Sequence, residues 1–438
     1  MQDQIAPIPG IALPAPVNDQ WDYLLSTIWN QMLHLVLCLD GRLDEEKLPV
    51  AMRAVMDAEP VLCSRFVESE KPSWEALPPL PPESFFSRVS DPDPGGVLPG
   101  VLVRQLDARR GPPVHLTLIR GEMDTLVLSV NHTASDAYGV RYAAFLLAQA
   151  YREGVLPAGL LSPCRHERDR SFSPLLLDLP EAVVNAAKEA CGDQAAVWGI
   201  PCGKGPCRRP SYEFRTIDRD LFRDIRSCSR ACGMTINDLL LASFFVAVSR
   251  EIPHEEDGLY PVLTSVDLRR LVPSARTAPV ANLSVAFEVH LSANLSRSFP
   301  LLAKEVHGVM ERKKRLRAGI GAAVRLEELF GAAGFHAVRK YLEEERRKSE
   351  TMGYPKNPFF SNTGIIPQEC GDFGGVRAVH AFMVPPVDYP PGFSVAASTF
   401  QERLTLASGF CRDCLSENTV RRVLSCMEES LENFARRP

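Results

Sequence analysis

Apolar and polar positions along this chain follow two rhythms, one of strands and one of helices, and the two meet at 125–151. TLVLSV at 125–130 is a continuous apolar run containing Thr, Val and Leu, which predicts a buried strand. After NHTASDAYG at 131–139, residues Val140, Ala143, Ala144, Leu147, Ala148 and Tyr151 fall at helical spacing, and Gly154 supplies a stop. His132 and Asp136 therefore sit on the turn from strand to helix.

The same rhythms divide the rest of the chain. Residues 1–20 are proline-rich and read as an arm. MLHLVLCL at 32–39 predicts a strand ending at the Asp40-Gly41 turn, 43–59 a helix closed by Pro60, and 61–68 another strand. The many prolines of 71–100 read as loop, with strands expected at 101–106 and 114–120. Residues 154–210 break the pattern, with one helical stretch near 181–190. The expected division is an N-terminal domain at 1–165, a linker or crossover at 166–210, and a C-terminal domain at 211–438.

In the second domain, 211–217 predicts a strand and 221–232 a helix stopped by Gly233. Thr235 and Asp238 open NDLLLASFFVAVSR, a helix apolar enough to be buried on most sides. Strands are expected at 259–270, running into Arg269 and Arg270, and at 281–292. A helix at 301–317 carries the basic cluster RKKRLR at 312–317, read as a solvated face. One or two helices follow at 324–350, then strands at 359–365, 377–384, 392–399 and 404–410, and a last helix at 417–434. Both halves mix helices with several strands, so the expected class is α/β (α+β), two units side by side with a ligand cleft between them.

At 438 residues the chain is long enough for two or three cores, and 45% hydrophobic with 24% charged residues is an ordinary globular balance. A formal net charge of -5 gives no reason to expect nucleic acid. No basic, apolar leader opens the sequence, and the longest apolar run, 239–248, is too short to span a bilayer, so a cytoplasmic protein without a transmembrane segment is expected. The twelve cysteines are scattered. Cys411 and Cys414 form one C-x-x-C, while Cys202/Cys207 and Cys228/Cys232 are looser pairs. A structural zinc site needs two close pairs, and here the second would have to come from far along the chain. Reduced, mostly buried thiols and no metal are the expectation. Gly203-Lys204 lacks the rest of a phosphate-binding loop, and Gly319-Ile320-Gly321 lacks the third glycine of a dinucleotide fingerprint.

A histidine on a loop leaving a rigid strand can be held while its ring faces a cleft, and its ordinary pKa of about 6.5 suits proton transfer near neutrality. The plainer reading of the same residues is a hydrogen-bonded His and a helix-capping Asp. There is no G-x-S-x-G nucleophile elbow.

Several segments together resemble one superfamily, the thioester-dependent acyltransferases. It includes chloramphenicol acetyltransferase, condensation domains of nonribosomal peptide synthetases, alcohol acetyltransferases, wax-ester synthases and the plant BAHD enzymes. The H-x-x-x-D hallmark reads NHTASDA here, supported in order by LDGRLDEEKL at 39–48, AEPVLCSRF at 58–66, TINDLLLASFFVAV at 235–248, SVDLRR at 265–270, ANLS at 281–284 and SNTG at 361–364. The resemblance implies two chloramphenicol-acetyltransferase-like domains forming a V, with an interface tunnel and His132 midway along it as general base. It implies a CoA or phosphopantetheine thioester as co-substrate, no permanently bound cofactor, an acyl-CoA or carrier protein as partner, and a small alcohol or amine as acceptor. Asp136 would orient the turn, and Ser361 and Asn362 would position the substrate or its oxyanion. GDFGG at 371–375 is similar to a structural motif of the BAHD enzymes, without its Trp. Asn131 stands where many members have a first His, Ala137 where most have Gly, and Cys63 where condensation domains carry an Arg that pairs with the motif Asp. That Asp therefore needs another cation here, Arg269 or Arg65. These departures also fit the alternative of a catalytically inactive, condensation-like scaffold.

Overall fold

The computed structural model describes residues 12–91, 93–156, 169–177, 179–191, 197–253, 258–271, 279–291, 297–352 and 355–436. Two mixed sheets, each backed by helices, form two lobes, and a small three-stranded sheet lies beside the first.

The first lobe is built on a five-stranded sheet in the spatial order Ala378–Val384, Met32–Leu39, Thr125–Asn131, Val114–Arg120, Phe86–Ser90. The 125–131 strand is central and buried throughout, which explains its unbroken apolar run. Helices Lys47–Ala58 and Ala137–Glu153 cover one face, and their Leu48, Met52, Val55, Val140, Ala144 and Leu147 join the core. The edge strand Ala378–Val384 comes from the region that the sequence division assigns to the second domain. It pairs antiparallel with Met32–Leu39 over Ala378↔Leu39 to Val384↔His34.

The second lobe has a six-stranded sheet ordered Ser284–Leu291, Tyr260–Asp267, Phe359–Ile365, Ser394–Phe400, Arg403–Cys411, Pro210–Ile217. Helix Ile236–Ser249 starts with a reciprocal capping box between Thr235 and Asp238. It is buried on nearly every side among that sheet and helices Phe299–Arg315 and Glu417–Ala435. Among the described residues, no single helix is long and apolar enough to cross a membrane.

Three expectations are corrected. Residues 101–106 are not a strand, because 94–102 form the helix Pro94–Leu102, with Asp93 capping Gly95 N–H and Pro99 inside. The region read as loop at 71–100 also holds strands Ser73–Ala76 and Phe86–Ser90. The arm contains helix Val17–Leu24, whose Asp19 and Asp22 are buried. The GDFGG turn seats Phe373 edge-on against the Tyr151 ring at 5.4 Å, at the end of helix Ala137–Glu153.

Candidate active site

The turn 132–136 is fixed first by its own sequence. Asn131 Oδ1 accepts from Thr133 N at 3.0 Å, and Asn131 Nδ2 donates to Leu106 O at 2.7 Å, so the residue in the place of a first histidine braces the turn. His132 N donates to Gln31 O at 2.7 Å. Gln31 takes φ 60°, a left-handed conformation uncommon for a non-glycine residue. Asp136 is the N-cap of helix Ala137–Glu153, its Oδ1 accepting from Tyr138 N at 3.1 Å and Gly139 N at 3.2 Å.

The opposite lobe then grips the same turn. Asp136 Oδ2 accepts from Arg269 Nη1 at 2.8 Å, Leu283 N at 2.9 Å and Ser284 Oγ at 3.2 Å. Arg269 also donates to Asp267 Oδ1 at 3.1 Å and Ala281 O at 2.9 Å, and its guanidinium lies 4.6 Å from the centre of the Tyr138 ring. Burial acts to raise the Asp136 pKa, but Arg269 and the backbone donors outweigh it and hold the carboxyl below its ordinary range. With both oxygens occupied and 1% exposure, Asp136 presents no free lone pair to a substrate. Of the two cations considered for it, Arg269 makes the pair, whereas Arg65 is bound to Glu75 at 2.9 Å.

A second buried network holds the turn from behind. Asp19 accepts from Arg170 Nη2 at 2.7 Å, Trp74 Nε1 at 2.8 Å and Asn282 Nδ2 at 3.2 Å. Asn282 donates in turn to Thr133 O at 2.9 Å, and Arg170 to Ala134 O at 3.0 Å. Each of residues 281–284 thus touches the turn at Thr133 or Asp136, through Ala281 O, Asn282 Nδ2, Leu283 N and Ser284 Oγ.

His132 itself keeps 20% of its side chain exposed. Its Nδ1 is shut from solvent without a hydrogen-bond partner, so the exposed part belongs to the rest of the ring. Burial lowers its pKa, so the imidazole is neutral at neutral pH. The Trp29 ring lies near-parallel at 6.4 Å and leads on to Phe359 at 6.5 Å. Asp22 Oδ1 stands 3.7 Å from Nδ1. Burial, then Asp19 and Asp136, raise the Asp22 carboxyl well above its ordinary range. Asp22, Asp19 and Arg170 are site residues that sequence reasoning missed. The spacing of three between Asp19 and Asp22 on one short helix marks a shared face, without pointing to His132.

Ser361 and Asn362 lie on strand Phe359–Ile365, whose first residue reaches Trp29. Ser361 Oγ is 2.9 Å from Ser265 Oγ. Asn362 Nδ2 donates to Asn237 Oδ1 at 3.3 Å, and its Oδ1 accepts from Gly364 N at 3.0 Å. Among the described residues, no group of three His, Cys, Asp or Glu stands in metal-binding geometry.

The sequence matches no protein-family model and no curated protein. Solved structures do match over the whole chain. The SgcC5 protein from Streptomyces globisporus aligns with TM-score 0.70 at 17% identity, covering 97% of this chain and 99% of that one. The first condensation domain of the calcium-dependent antibiotic synthetase aligns with TM-score 0.67 at 16% identity, covering 98% of each. The trichothecene 15-O-acetyltransferase from Fusarium sporotrichioides aligns with TM-score 0.66 at 13% identity, covering 97% and 95%. The chain therefore has the two-lobed α/β fold shared by condensation domains and this acetyltransferase.

Proposed function

We propose that this protein transfers an acyl group from a thioester, carried by CoA or by an acyl or peptidyl carrier protein, to a hydroxyl or amine acceptor. The observation that carries the reading is a neutral, partly exposed His132 held on a turn that both lobes fasten. The reading requires donor and acceptor to reach the ring from between the lobes.

His132 Nε2 takes the acceptor proton as the acceptor attacks the thioester carbonyl. The resulting oxyanion collapses, the C–S bond breaks, and the departing thiolate takes the proton back from the imidazolium. Ser361 and Asn362 are the proposed oxyanion or substrate-positioning donors, a role in which one good donor contributes about 3 kcal/mol. Asp22 Oδ1 faces Nδ1 at 3.7 Å, and burial holds that carboxyl toward its neutral form. Asp136 orients the turn. No resident cofactor takes part.

The test measures free thiol released from acyl-CoA and acyl-carrier thioesters with varied acceptors. His132→Ala is expected to lower the rate by roughly 10²–10⁴-fold. In the wild type, kcat/KM falls on the acid side of a limb displaced below pH 6.5, the direction in which burial moves this imidazole. Equal thiol release by wild type and His132→Ala refutes the reading and leaves the scaffold alternative.

A further inference from the structure

The fold brings together two cysteine pairs that lie about half the chain apart. Cys411 ends strand Arg403–Cys411 opposite Pro210 of strand Pro210–Ile217. Beyond it, Arg412 N donates to Arg209 O at 2.9 Å, and Gly203 N donates to Cys414 O at 2.7 Å. Asp413 Oδ2 accepts the backbone N–H of both Arg208 and Arg209 at 2.8 Å, and its Oδ1 accepts Arg209 Nε at 2.6 Å. The contact at Gly203 is close, since a Cβ there would stand 3.3 Å from the Cys414 Cα. The loop 202–209 is thereby laced to 411–414 at both ends.

The four sulfurs share this corner. Cys414 Sγ donates to Gly205 O, inside the 202–209 loop, at 3.8 Å, and Cys411 Sγ donates to Asp413 Oδ2 at 3.5 Å. The Cys411 thiol is also felt by those of Cys202, Cys207 and Cys414. All four are free thiols. Inert packing explains a fully buried thiol such as Cys411, but Cys202, Cys207 and Cys414 are only half-buried.

We propose that Cys202, Cys207, Cys411 and Cys414 form a four-thiolate site for a soft divalent cation, Zn²⁺, which clips the linker before strand Pro210–Ile217 to the edge of the second lobe's sheet. Four thiolates in tetrahedral array make a closed structural zinc site. No three of these side chains stand in binding geometry as they are. Each cysteine has one χ1 torsion, and a change of staggered well re-aims its sulfur without moving the laced backbone. On binding, each thiol gives its proton to solvent and its sulfur lone pair to the metal. The carboxylate nearest the sulfurs, Asp413, accepts from Cys411 Sγ at 3.5 Å and is neutralised by Arg209 at 2.6 Å. The site is independent of the acyl-transfer reading.

The test uses full-length protein purified under reducing conditions. Elemental analysis is expected to find about one zinc per chain, the stoichiometry of a closed structural site. Protein stripped by chelator and titrated with Co²⁺ is expected to develop a thiolate-to-cobalt charge-transfer band. Cys207→Ser and Cys411→Ser are expected to lose the metal and the band, while Cys232→Ser, an exposed thiol elsewhere, keeps both. Reduced, stripped wild type that gives no band with Co²⁺ overturns the proposal, whatever the variants do. So does an unchanged band in a Cys411→Ser protein with the wild-type circular dichroism spectrum.

Discussion

Asp136 shows how one carboxylate can fasten a turn from two sides. It caps the helix with one oxygen and ties down the opposite lobe with the other. Asp136→Ala removes the cap and leaves Arg269 buried with half its counter-charge. Breaking a buried pair costs about 3–5 kcal/mol, and the surviving Asp267 contact at 3.1 Å places this change near the lower end. Asp136→Asn keeps an oxygen for the Tyr138 and Gly139 N–H groups and is expected to be milder. Denaturant unfolding, read beside thiol release per folded molecule, checks both. An activity loss in Asp136→Ala with no change in melting temperature would instead give this carboxylate a direct chemical role. Asp22 is the contrasting case, buried with no cation paired to it among the described residues and facing the imidazole proposed as the base.

Helix Ala137–Glu153 has to pass close to the far lobe, and Gly139 is where it does so. A Cβ at 139 would lie 2.0 Å from Ser135 Oγ, 2.9 Å from Val280 Cα and 3.1 Å from Pro279 O. Ser135 can rotate away, but the backbone at 279–280 cannot. Gly139→Ala is expected to destabilise by about 1–3 kcal/mol, the usual cost of overpacking, and to lower acyl-transfer activity because the turn shifts with the helix. Thermal melts and thiol release measure the two effects, and a variant as stable and active as wild type would show that the two lobes do not press together here. Most elements were legible because their periodicity is local. The 125–131 run, the Gly154 stop and the Thr235 box each state their structure within a few residues. Helix Pro94–Leu102 was not, since PGGVLPGVL carries loop residues, and its Val97, Leu98 and Leu102 become helical by packing beneath the sheet. The candidate site divides in the same way. His132 and its capping Asp136 share one short turn, whereas Arg170, Asn282 and Asp22 join it across distances that no local pattern records.

At the scale of the molecule, the strand Ala378–Val384 matters most, because it leaves the second lobe to complete the first lobe's sheet. Residues 1–165 expressed alone would expose the apolar edge Met32–Leu39, which invites strand pairing between copies. That fragment is expected to be insoluble, and co-expression with 166–438 to restore soluble material, as measured by soluble yield and size-exclusion chromatography. A monomeric 1–165 fragment with a cooperative melt would contradict this. The borrowed strand also bears on how such a protein can be altered by recombination. A crossover near residue 190 that grafts a relative's first half onto this second half brings in a sheet whose last place must be filled by a stranger. The two halves are therefore expected to be inherited as one piece.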